Sequence, residues 1–100
     1  MTPVEVIYAA ADYMEAHGKA TGVYEDERGR VCAIGAVRKV STGSARQTWG
    51  SVEAEDILTR RTWAEGWGTV VAYSDKNDKR KVVRFMRRAA RLYEKGNADG

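Results

Sequence analysis

The chain predicts a small all-α domain, and three capped amphipathic segments carry that expectation. They lie at about 3–17, 51–65 and 78–95, and each pairs an N-capping side chain with apolar residues at helical spacing. One hundred residues suit a single domain around one core.

The first helix is the best signalled. Thr2 is an N-cap, Pro3 suits the first helical position, and Glu5 completes a capping box with Thr2. Met1 and Val6 are spaced for a hydrophobic staple, while Val4, Ile7, Tyr8, Ala11 and Met14 form one apolar face up to Gly18. Residues 18–31 read as irregular, with a short β-hairpin admitted at about 23–31 around Glu25-Asp26-Glu27-Arg28-Gly29. The small-residue run from Cys32 to Val37 suits a short buried helix to about Lys39; a buried strand is the rival, since so short a run has no decisive period.

Residues 41–50 form a polar loop, and Ser51 caps the second long helix. Its early Glu53, Glu55 and Asp56 and later Arg60 and Arg61 complement the helix dipole, with Ala54, Ile57, Leu58 and Ala64 on the apolar face. Thr69 to Ser74 is open between strand and helix, Asp78 caps the last helix, and 96–100 is expected to fray.

Composition narrows the function classes. Leu, Ile, Val and Phe total only 17 residues, so Ala, Tyr and Trp must fill a thin core, and a two-fold dimer is expected to supplement it. The net charge of +3 and nine aromatics argue for a folded chain over a disordered one. No apolar run approaches the roughly 20 residues of a membrane span, and the acid-bearing start of the chain predicts no signal peptide. A single cysteine fits a reducing cytoplasm.

Catalytic and metal chemistry find little support. His17 is the only histidine and precedes Gly18, where an imidazole covers helix C-terminal carbonyls. Cys32 sits among Val31, Ala33 and Ile34, which reads as a structural thiol. The acids near Asp75 and Asp78 fail as a calcium loop, because Arg80 and Met86 stand where Gly and an acidic ligand are required. No phosphate-cradling glycine motif occurs, so no cofactor, metal or catalytic residue is assigned.

The charge distribution is the outstanding anomaly. Residues 76–95 hold nine bases and two acids, a balance of +7, against −4 for the rest of the chain. On a helical wheel Val82, Val83, Phe85, Met86, Ala89, Ala90, Leu92 and Tyr93 fill one half. Arg80, Lys81, Arg84, Arg87, Arg88, Arg91 and Lys95 fill an arc on the other, with Glu94 at its border. Ordinary solvated faces mix signs, since like charges four apart cost a few tenths of a kcal/mol each, about 0.2–0.5. The arc is therefore the candidate partner-binding surface, unless acids such as Glu53, Glu55 and Asp56 fold over it. Trp49, Trp63 and Trp67 are core or loop residues by default and interface residues in the alternative.

The segments at 22–37 and 70–96 resemble a domain-of-unknown-function family of short proteins from high-GC Gram-positive bacteria and their phages. The likeness rests on the small-residue core Gly29-Arg30-Val31-Cys32-Ala33-Ile34-Gly35-Ala36 and the turn Tyr73-Ser74-Asp75, where Ser74 replaces the usual Asn. It implies an actinobacterial or phage origin and no reaction. Two functions follow from the residues: a non-enzymatic protein whose basic helix engages an acidic partner such as nucleic acid, or an effector that binds a host protein through its Trp-containing or acidic surface. Salt-sensitive gel shifts favour the first, and capture of a host protein from nuclease-treated lysate the second. The expected dimer gives a light-scattering mass near twice the 11.1 kDa of the chain; a monomer mass at high concentration refutes it.

Overall fold

A computed structural model describes residues 1–45 and 51–99, with side chains as far as Lys95. Among these residues the chain forms five helices and no strand: α1 (Pro3–His17), α2 (Ala33–Thr42), α3 (Val52–Ala64), α4 (Val70–Lys76) and α5 (Lys79–Asp99). The all-α expectation holds, and both ambiguous segments, at 32–39 and 69–74, are helical.

Local capping explains most boundaries. In α1 the Thr2 hydroxyl accepts from the Glu5 amide at 3.1 Å, and the Glu5 carboxylate accepts from the Thr2 amide at 2.8 Å. Those bonds, the backbone one first, hold the Glu5 carboxyl below its ordinary pKa. Met1 stays 76% exposed, so Val6 is buried by the bundle and not by the expected staple. Ser51, Thr69 and Asp78 cap the amides of Ala54, Ala72 and Lys81 at 3.2, 3.1 and 2.9 Å.

Three boundaries differ from expectation. α2 runs past Lys39 to Thr42, into the segment 41–50 read as a polar loop, of which residues 46–50 lie outside the described ones. The hairpin at 23–31 reduces to isolated bridges, Lys19 with Val31 and Glu25 with Val31. The Glu25–Val31 bridge is closed by its neighbours, the Tyr24 carbonyl accepting from the Cys32 amide and the Asp26 amide donating to the Arg30 carbonyl, while the Val31 amide and carbonyl pair with Gly18 and Ala20 on the other side. The pairing stops there because α2 begins at Ala33, directly after Cys32. At the other end, α5 runs through Gly96 to Asp99, past the end expected at about Lys95. Gly96 lacks the positive φ of a terminating glycine, and a glycine inside a helix costs only about 1 kcal/mol.

α1 lies between α2 and α5, with which it makes its most extensive contacts, and α3 and α4 close the bundle. Ile7, Ala10, Ala11 and Met14 of α1 are fully buried, as are Val37 of α2, Leu58 of α3, and Phe85, Met86 and Ala90 of α5. The alanines allow close helix approach, which is how a chain poor in Leu and Ile still builds a dry centre.

The loop before α2 is locked at one point. A Cβ on Gly35 would lie 2.1 Å from the Tyr24 carbonyl oxygen, and that carbonyl accepts from the Cys32 amide at 3.1 Å. Only glycine permits this approach. The buried Ser74 hydroxyl accepts from the Ala33 amide at 3.2 Å, which pins the start of α2 to α4. We expect Gly35→Ala to lower stability in urea titration by about 3 kcal/mol or more, through overpacking against backbone. Gly96→Ala, with nothing within 4 Å of its added Cβ, should raise stability by about 0.5–1 kcal/mol.

Candidate polyanion interface

The basic arc of α5 divides into anchored and free members. α5 runs antiparallel to α1: the Tyr8 hydroxyl donates to Glu94 at 3.1 Å, and the Lys79 ammonium donates to the Glu15 carbonyl at 3.3 Å. Between these points Arg87 reaches across to Asp12 at 2.8 Å and Glu15 at 2.9 Å. On the opposite flank Arg88 meets Glu65 at 2.8 Å and stands 5.5 Å above the Phe85 ring. Arg87 and Arg88 lie near the two edges of the arc, which is why each finds a carboxylate on a neighbouring element.

The acids offered as an alternative cover for the arc, Glu53, Glu55 and Asp56, form no ion pair with it among the described residues. Glu55 binds Arg38 at 3.1 Å and Asp56 binds Arg60 at 2.9 Å, while Glu53 has no ion pair among the described residues. Asp12, Glu15 and Glu65 partly neutralise the arc in their place. A hint was present in the sequence, since Asp12 and Glu15 are three apart and flank the apolar stripe of α1.

Arg80, Lys81, Arg84, Arg91 and Lys95 are exposed and have no carboxylate partner among the described residues. They track the outer face of α5 over about 22 Å, at 1.5 Å of rise per residue. Near the middle, Arg84, Arg87, Arg88 and Arg91 line a shallow hollow of about 420 Å³. This hollow presents guanidinium groups on all sides, and two of them are held in place by ion pairs. Guanidinium forks match phosphate and carboxylate oxygens.

The remaining candidates sort as follows. Trp63 and Trp67 are 65% and 42% exposed, and Trp49 lies outside the described residues. Leu92 and Tyr93, assigned to the buried half of α5, are 39% and 41% exposed. They border a groove of about 340 Å³ against Ile57 of α3. His17 stacks on Tyr13 with ring centroids 4.1 Å apart; the Gly18 amide, donating to the Met14 carbonyl at 2.8 Å, caps the helix instead. Among the described residues no three His, Cys, Asp or Glu side chains gather as a metal site. No helix among them is long and apolar enough to cross a membrane.

Cys32 is 1% exposed, and its sulfur accepts from the Gly35 amide at 3.3 Å as the N-cap of α2. Burial pushes its thiol pKa up. Native protein is therefore expected to react with a thiol-specific disulfide reagent only as fast as it unfolds; rapid stoichiometric labelling at neutral pH would contradict a structural role.

With this geometry in place, comparison with known proteins gives a family and no activity. The pattern of the family of unknown function DUF6197 matches residues 1–92, and the chain belongs to that family. No curated protein and no solved structure matches it.

Proposed function

We propose that this member of DUF6197 is a non-enzymatic binding domain whose α5 engages a polyanion, nucleic acid above all, through Arg80, Lys81, Arg84, Arg91 and Lys95. The observation that carries this is the unpaired state of those five cations on a helix whose two neighbouring cations, Arg87 and Arg88, are paired. Acids within reach serve the edges of the arc and leave its middle open.

Charge of one sign along a helix face lowers helix stability through i,i+4 repulsion, by about 0.2–0.5 kcal/mol per pair. A polyanion removes that repulsion on binding and releases its own counterions. The free side chains are Arg and Lys spaced along one exposed helix face, and as phosphate contacts they carry no sequence information, so binding is expected to be largely independent of sequence. A cytoplasmic setting accords with the free thiol of Cys32. The likeness at 29–36 and 73–75 supports an origin among high-GC Gram-positive bacteria and their phages.

The test is a triple substitution, Arg80→Glu with Arg84→Glu and Arg91→Glu. It spares Arg87, whose replacement would also break the α1–α5 clamp. Wild-type affinity should fall with salt at a log–log slope of roughly −3 to −5, from about 0.7–0.9 per phosphate contacted. The triple variant should keep its helical circular dichroism and lose binding. Undiminished binding by the folded variant removes this face from consideration.

A further inference from the structure

We infer that the polyanion is single-stranded nucleic acid, and that Trp67 is a platform on which one of its bases stacks. This rests on the proposed use of α5 as a polyanion track and adds the class of partner to it.

Trp67 stands beside the track. Its ring meets Tyr73 edge-on at 5.1 Å, and Tyr73 in turn tilts against Phe85 at 4.5 Å. The Tyr73 hydroxyl donates to the Lys81 carbonyl at 3.4 Å, so this aromatic chain runs from the α3–α4 loop onto the first turns of α5. Glu65, two residues before Trp67, is the carboxylate that holds Arg88. The indole is thus on the flank of α5 that carries Lys81 and Arg88.

The loop presents the ring in a fixed pose. Gly66 and Gly68 on either side have φ of +81° and +78°, a conformation that disfavours side chains and folds the chain tightly around Trp67. The Trp67 amide donates to the Thr62 carbonyl at 2.8 Å, and the buried Thr62 hydroxyl donates to the Gly68 carbonyl at 2.6 Å. For all that anchoring Trp67 is 42% exposed. A rigid aromatic surface costs little entropy to use.

An exposed aromatic beside a line of cations is the arrangement that binds unpaired strands. The cations follow the backbone while a base, freed from pairing, stacks on the ring. Duplex DNA keeps its bases inside the helix and offers phosphate alone, so Trp67 would add nothing to its binding.

Trp49→Phe with Trp63→Phe leaves Trp67 as the only indole. Its fluorescence is followed during titration at low salt with oligothymidylate, oligouridylate, a duplex and inorganic polyphosphate. The expected result is strong quenching by the single strands and little by duplex or polyphosphate; the ratio of the two strand affinities distinguishes DNA from RNA. In the otherwise native chain, Trp67→Ala should weaken single-strand binding about 5- to 160-fold, the range for one base stack, and leave duplex and polyphosphate affinity unchanged. Trp67→Phe, which keeps a ring against Tyr73, should fall between. Salt-sensitive binding of all polyanions with no quenching, and with Trp67→Ala and Trp67→Phe at wild-type affinity, overturns the single-strand inference and leaves the track intact. Absence of binding by any polyanion overturns both.

Discussion

Where α1 and α5 lie together, Tyr8 meets Glu94 near one end, Arg87 meets Asp12 and Glu15 further along, and Lys79 reaches the end of α1. These contacts place the helices antiparallel in a single register, with Ile7, Ala11 and Met14 turned inward with Phe85, Met86 and Ala90. Each exposed ion pair contributes at most about 1 kcal/mol; burial of the apolar residues between them supplies the larger stabilisation. The polar contacts select the register. Which cations of α5 are spent internally and which face solvent follows from that choice.

α2 is held by a different device. Its small N-terminal residues are wholly buried, and Gly35 lets the Tyr24 carbonyl come against the helix. Cys32 and Ser74 satisfy the amides of Gly35 and Ala33, so a helix start buried in the domain leaves few donors unmet. The resemblance seen at 29–36 and 73–75 therefore falls on one structural joint, where Ser74 does the work of a buried acceptor. Cys32, conspicuous in the sequence, builds the scaffold, and the basic arc lies apart from this joint, on α5.

The all-α class, α1 to the residue, and α3 and α5 within a few residues were legible in the chain, because capping side chains and a 3.6-residue period are local signals. Also legible was the basic arc, since a helical wheel needs only the helix. The hairpin admitted at 23–31 is cut to one antiparallel bridge because α2 begins at Ala33, directly after the paired residues, and Val31 also pairs with residues 18 and 20, partners invisible in the turn itself. Short apolar runs at 32–37 and 69–74 had no decisive period, and the packing of α2 and α4 against the bundle resolved them as helices.

By itself, then, the sequence determined helix positions, caps and the sign of the α5 surface, all consequences of residues within a turn or two of one another. Tertiary structure decided which charges are free. Asp12 and Glu15 lie more than 70 positions from Arg87, and Glu65 lies 23 from Arg88. The same distance hid the neighbours of Trp67, whose tie to α5 through Tyr73 and Phe85 exists only once the helices are packed. Coulomb attraction and ring contact act over a few ångströms of space, and only packing brings such distant residues within that range.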